Sequence, residues 1–428
     1  MADPMRNFIL ACALWIITSS VIAETARPRF DFAAAERNAD LELKRTPAPV
    51  MPEVPLAVKP VVPVCATCKG TGRVICAQHT KNPACIISAQ PETEVCKLCK
   101  NVGFYPCPVC KAGSKQELKD KAAEAEAAQS QALSAMQQSA KEIENECAPA
   151  RLNAKLTSFC TTHFSIASNL PRPLELLCVE HGENLLPKLD AVFHERTFTF
   201  TNSQDTRFFL VDKTLEFKRF LETIYKERFP DADVEFCLKT AGVSTHQAPC
   251  NSCACYEKMA RVQDSMIHEF VHMYAHNLMD RVVGERNYVP WIREGFAAYG
   301  ETLELGHPAV YCCAYEINKI DIMKQRVTTL QRLARENKAI PMPKLSQMTY
   351  MDMKSDEYFQ SWSLVTMLIE RDPDKFLNLL KIIPEAANGV SGGELKADEQ
   401  EKALQEAYGY DFAKLLAVWK QYVIATVR

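Results

Sequence analysis

The feature that most constrains this 428-residue chain is a pentapeptide, His268-Glu269-Phe270-Val271-His272, inside a helical pattern. Apolar side chains recur at Met259, Val262, Met266 and Phe270, and again at Ile267, Val271, Tyr274 and Leu278, which is helix spacing with two adjoining buried faces. A helix buried on two sides must lie between layers, so it sits at the heart of whatever fold forms. Residues four apart share a helix face, so both imidazoles can reach one metal ion, with Glu269 one position round. Zinc lowers the pKa of its water towards ~7, within reach of a carboxylate general base. A catalytic zinc also needs a third protein ligand and an open position. The segment Trp291-Ile292-Arg293-Glu294-Gly295-Phe296-Ala297 follows, and its Gly295 and Ala297 leave room for close helix packing.

Composition excludes some roles and leaves this one. The chain is 47% hydrophobic and 24% charged, enough apolar residue for a sizeable core. A formal net charge of -3 gives no reason to expect nucleic acid or an anionic membrane as partner. The N-terminus has the layout of a secretory signal over residues 1–23: Arg6, an apolar run from Phe8 to Ile17, then Val21-Ile22-Ala23 for cleavage. Translation from Met5 would improve it by removing Asp3. No other stretch is long and apolar enough to span a bilayer. The expectation is export to a periplasm or outside the cell, with no stable membrane span after cleavage.

Beyond the signal the chain changes texture three times. Residues 24–64, with Pro47, Pro49, Pro52, Pro55, Pro60 and Pro63, read as a semi-extended linker. Residues 65–113 form a cysteine module. Residues 114–150, dominated by Ala, Glu, Lys and Gln, read as a helical spacer. From 151 to 428 the pattern is α+β: a small mixed sheet, then an all-helical part. Strands are expected at His163–Ala167 and Phe208–Val211. Helices are expected over Leu174–Phe193, interrupted at Gly182 and Pro187, then over Leu215–Phe229, 257–280, 357–371, 373–383 and 411–427.

The cysteine module is an internal repeat. Aligning Cys65 with Cys96 places Cys68 on Cys99, Gly72 on Gly103, Cys76 on Cys107 and His79 on Cys110. Two-residue spacing lets both thiolates of a turn reach one tetrahedral zinc. A disulfide-bonded knot is the alternative in an oxidising compartment. The segment Cys65-Ala66-Thr67-Cys68-Lys69-Gly70-Thr71-Gly72 resembles the CxxCxGxG motif of the cysteine-rich domain of DnaJ-type co-chaperones. That resemblance implies two structural zinc ions, one on Cys65, Cys68, Cys107 and Cys110, the other on Cys76, His79, Cys96 and Cys99. Two departures are His79, where the family has cysteine, and Asn101, where the first unit has Gly70. Cys85 is a second candidate for the place of His79. A protein partner at this module is the implied role.

The HExxH and W-x-x-E-G-x-A segments together resemble the gluzincin metallopeptidases, and most closely the peptidase-MA-like domains of bacterial envelope proteins. The resemblance covers roughly 155–428. It implies a catalytic zinc on His268, His272 and Glu294, Glu269 as general base, and a protein or peptide substrate. It also implies an oxyanion donor from the helical part. Tyr358, ahead of Gln360-Ser361-Trp362-Ser363-Leu364, is the candidate, with Tyr299 and Tyr315 as weaker ones. Departures include twenty-one residues between His272 and Glu294 and the absence of a G-x-M-E-N motif. The aspartate that thermolysin-like enzymes place four residues after the ligand Glu is Ala298 here, and Glu301 is the substitute candidate. His276 extends the histidine row, but Ala275 and Leu278 stand where a metzincin needs glycine and histidine, so His276 reads as a surface or packing residue. Cys250, Cys253 and Cys255 are spaced either to bind a further metal or to form disulfides that rim the cleft, and export favours the disulfides. Three functions remain: an exported zinc peptidase, a non-catalytic envelope scaffold binding protein through the cysteine module, or a zinc hydrolase of a substrate other than a peptide.

Overall fold

The computed structural model describes residues 30–42, 73–75, 87–88, 104–112, 116–146, 152, 156–161, 163–193, 205–245, 249–259, 261, 263–283, 289–309, 325–350, 352–383 and 396–427. The signal segment, Cys65, Cys68, Cys76, His79, Cys85, Cys96, Cys99, the vicinal Cys312 and Cys313, and Tyr315 lie outside these residues.

The architecture is α+β around one open mixed sheet. In chain order the elements are helix α1 (Phe32–Glu42), strands β1 (Arg73–Ile75), β2 (Ile87–Ser88) and β3 (Phe104–Pro106), and helix α2 (Gln116–Glu146). Then come β4 (Thr157–Cys160), β5 (Ser165–Ser168), α3 (Arg172–Val192), β6 (Thr206–Val211), α4 (Thr214–Phe220), β7 (Gly242–Ser244) and β8 (Cys250–Cys255). The helical part is α5 (Gln263–Val283), α6 (Pro290–Leu305), α7 (Arg326–Arg335), α8 (Ser355–Arg371), α9 (Pro373–Ile382), α10 (Ala397–Tyr408) and α11 (Phe412–Thr426). Among the described residues no helix is long and apolar enough to cross a membrane.

The six-stranded sheet has the order β2-β4-β5-β6-β8-β7. β5, β6 and β8 run parallel, while β2, β4 and β7 pair antiparallel to their neighbours. Side chains alternate across it and divide the interior. Ile166, Phe208, Leu210 and Ala254 face the principal core with α3 and α5. Ala167, Phe209, Val211, Cys253 and Cys255 face a second core with Phe217, Phe220, Leu221 and Ile224. A central strand buried on both faces carries no alternating pattern, which is why Cys-Asn-Ser-Cys-Ala-Cys does not read as one in sequence. The disulfide expectation for this segment changes accordingly: Cys253 and Cys255 are buried free thiols in the second core.

Three other expectations are corrected. α3 runs unbroken through Gly182 and Pro187. Gly182 forms a groove for aromatic rings, since a Cβ there would stand 2.8 Å from Phe270 Cε1 and 2.9 Å from Phe164 Cζ. Phe164, Phe208, Phe270 and Tyr274 pack as one cluster, each wholly buried. Burying such rings, at about 1.5–3 kcal/mol each, outweighs the helix cost of one glycine. The region read as linker contains α1, whose Ala35 and Ala39 are buried against α11. Phe30 and Phe32 lie on Tyr422, Glu36 bonds Arg371 at 2.7 Å and Tyr410 at 2.6 Å, and Asp40 pairs with Lys414. Nor is α2 a free arm along its whole length: Ile143 is buried in the second core and Glu142 pairs with Arg207.

β1 and β3 form a separate two-stranded ladder with Arg73 opposite Pro106, Val74 opposite Tyr105 and Ile75 opposite Phe104. Val74 and Tyr105 are also equivalent positions of the 31-residue repeat. The two cysteine units therefore pair with each other about an approximate dyad.

Candidate metal centre

The site is built between α5 and α6. Every described residue of α5 from Met266 to Asp280 is buried, so the helix has no solvent face there. Asn277 ties it to the sheet, accepting from Ser244 Oγ at 2.7 Å and donating to Ser252 Oγ at 3.0 Å. Asp280 ties it to α6 through the buried Arg293, at 3.0 Å from both guanidinium nitrogens. α6 starts on Pro290, suited to a first helical turn, and ends on Gly306 in the left-handed region at φ 85°. Trp291 is wholly buried, its indole donating to Gln400 Oε1 at 3.1 Å. Gly295 serves contact with α8 rather than with the metal side, since a Cβ would meet Ser361 O at 2.6 Å. Gly300 is where α5 and α6 close up: a Cβ would stand 2.7 Å from that of Ala275.

This packing places Glu301 between two histidines. Its carboxylate accepts from His268 Nδ1 at 2.8 Å and from His272 Nδ1 at 2.7 Å. The Ala309 amide donates to the same carboxylate at 2.7 Å. Glu301 has no exposed surface. With Nδ1 of each ring committed as donor, Nε2 is the atom left to a metal that displaces its proton, the arrangement a metal ligand needs. The Glu301 expectation thus gains a firm geometry, with one carboxylate serving both rings.

Glu294 stands on the far side of His272. Its carboxylate lies 3.5 Å from His272 Nε2 and 3.5 Å from His276 Nε2, and the two Nε2 atoms are 3.2 Å apart. His272, His276 and Glu294 are all buried, and this trio could hold a metal ion. The reading of His276 as a surface or packing residue is corrected: it belongs to the cluster. His268 is buried beside it, held by Glu301, with its ring 4.9 Å from that of His307. Two tetrahedral ligands with bonds of about 2.0–2.1 Å stand about 3.3 Å apart, so the trio's spacing and its N/O donor set fit zinc.

Electrostatics favours positive charge here. Burial works against a proton on His272, but the bonds from Glu294 and Glu301 raise its pKa to about 10. Burial likewise opposes ionised Glu294, yet His272 and His276 hold it well below the usual carboxylate range. Burial, with the charge of Arg293, brings His276 down to about 4. Glu269 is pushed up to about 7 by burial, with His272 working against and Glu301 and Glu294 adding to the rise. Its carboxylate lies over Gly242 of the edge strand β7, where a Cβ would be 2.3 Å from Oε1.

The remaining expected residues fall elsewhere. Tyr358 is wholly buried in the principal core next to Phe359. Tyr299 is buried on α6, and burial raises its pKa well above the usual range. Cys107 and Cys110 are buried at the turn after β3, where the Lys111 amide bonds Cys107 O at 3.0 Å.

A family model described as "Protein of unknown function (DUF1570)" matches residues 263–387. The match begins with α5 and runs past α9, so the histidine helix, Glu294, Glu301 and Tyr358 all lie within it. No curated protein matches the chain.

Proposed function

We propose that this chain is an exported zinc-dependent peptidase of gluzincin type, with His268, His272 and Glu294 as working ligands and Glu269 as general base. The observation that carries the reading is the Glu301 carboxylate, which fixes both histidines of the HExxH pair through Nδ1 and leaves both Nε2 atoms for a metal. Zinc at this place would supply Lewis acidity and a water acidified towards neutrality. Glu269 would take the proton from that water and deliver it to the leaving amine. A carboxyl pushed up to about 7 by burial suits both halves of that transfer near neutral pH. Gly242 gives Glu269 its room, and β7, the edge strand among the described residues, would offer backbone groups to an extended peptide. Tyr358 remains the proposed oxyanion donor on the family resemblance alone.

In the same reading the cysteine module holds two structural zinc ions. The pairing of β1 with β3 supports it, because it joins one strand from each repeat at equivalent positions.

The test is Glu269→Gln in the full chain. Hydrolysis of a denatured protein substrate should fall about 10²–10⁴-fold, with zinc content unchanged by elemental analysis. Equal partner capture by wild type and variant, with no hydrolysis by either, would move the function to the scaffold role of the cysteine module.

A further inference from the structure

The histidine helix carries three histidines one turn apart, and the peptidase reading uses only two. His268 and His276 are eight residues apart, about 12 Å along a helix, too far for both rings and the intervening His272 to converge on one ion. The helix therefore offers two overlapping chelating pairs, His268–His272 and His272–His276. They share His272, whose Nδ1 is already given to Glu301, so its single free Nε2 serves one ion at a time.

We propose that the resting seat of the metal is His272, His276 and Glu294, one helical turn beyond the HExxH pair. The two Nε2 atoms stand 3.2 Å apart, and each lies 3.5 Å from one oxygen of the Glu294 carboxylate, Oε2 for His272 and Oε1 for His276, so one side of the carboxylate faces each imidazole. Each of the three residues is more than nine-tenths buried. His276 Nδ1 is buried without a hydrogen-bond partner, so Nε2, turned to His272 and Glu294, is the atom that fixes its ring. The backbone under Glu294 is held by the neighbouring Arg293–Asp280 pair.

This seat lacks a base. The residue after His272 is Met273, whereas the residue after His268 is Glu269. An ion on His272 and His276 stands about one turn, ~5.4 Å, further along the axis than one on His268 and His272. The resting seat is thus a latent one. Reaching the working seat requires the Glu294 carboxylate to turn from His276 towards His268, a side-chain movement with the backbone of both helices in place. The proposal rests on the cluster being a metal centre, and is independent of what the enzyme cleaves.

Cadmium-113 NMR on the full chain tests it, because cadmium on nitrogen and oxygen resonates far from cadmium on the thiolates of the module. Affinity at the nitrogen–oxygen signal is read by chelator competition. His276→Ala and His276→Gln should each move that signal and weaken binding about tenfold or more. His268→Ala should leave the signal in place and affinity within about threefold. Unchanged thiolate signals and circular dichroism would show that each variant folds. Loss of the ion in His268→Ala, with His276→Ala unaffected, overturns the proposal, as does equal loss in both. Wild type with no nitrogen–oxygen cadmium overturns the metal centre as a whole. A failed Glu269→Gln assay alongside the expected cadmium pattern removes only the peptidase reading.

Discussion

At the scale of single residues, the site turns on Glu301. A carboxylate can accept from both imidazoles at once, whereas a glutamine amide at the same place has one oxygen and a donor group that faces a donor. Glu301→Gln should therefore leave one histidine misdirected and weaken the metal about 10–100-fold, measured by chelator competition on the full chain. That His268, Glu269 and His272 share one buried helix was legible from periodicity, and Glu294 entered through the W-x-x-E-G-x-A resemblance. Glu301 was legible only as a substitute for the carboxylate that Ala298 lacks. His276 was not legible, since its membership depends on where the Glu294 carboxylate points across a helix interface. Tyr358 lies in the first turn of α8, and its enclosure beside Phe359 was not legible, because it comes from packing of distant helices.

At the scale of elements, close approach of α5 and α6 is what assembles the donors. Gly300 sets that approach against Ala275. Gly300→Ala should push the helices apart, cost about 1–3 kcal/mol in chemical denaturation, and weaken metal binding in the same variant. A purely local packing fault would lower stability and leave the affinity alone. α5, α8, α9 and α11 were legible because each has an apolar stripe of helical period. β8 was not, because a parallel strand covered on both faces has no period of two and this one is made of small residues and cysteine. α3 shows the converse. Gly182 and Pro187 are local breakers, and the aromatic cluster seated over Gly182 keeps the helix whole.

At the scale of the whole molecule, segments distant in sequence are fastened to the sheet and the helical part. α1 docks on α11 through Tyr422, Arg371, Tyr410 and Lys414, although its surroundings in sequence read as linker. Its Ala-rich composition gives a helix but no strong stripe, so docking was invisible without the partner surface. Removing residues 30–42 should expose Tyr422, strip Glu36 from Tyr410 and Arg371, and lower stability on the order of 3–5 kcal/mol in urea unfolding. Full stability after the truncation would mean that α1 adds no net binding energy. The cysteine module is fastened as well, since β2 pairs with β4 at the sheet edge opposite β7.

The ladder of β1 on β3 has a history written into it. Val74 and Tyr105 are the same position of two repeats, and they face each other. Two identical copies of a single unit could pair in the same way, related by a true twofold axis. A self-matching half of this kind can work as a dimer of separate chains before any gene duplication joins them. Fusion would then free each half to diverge, as His79 against Cys110 and Gly70 against Asn101 have done.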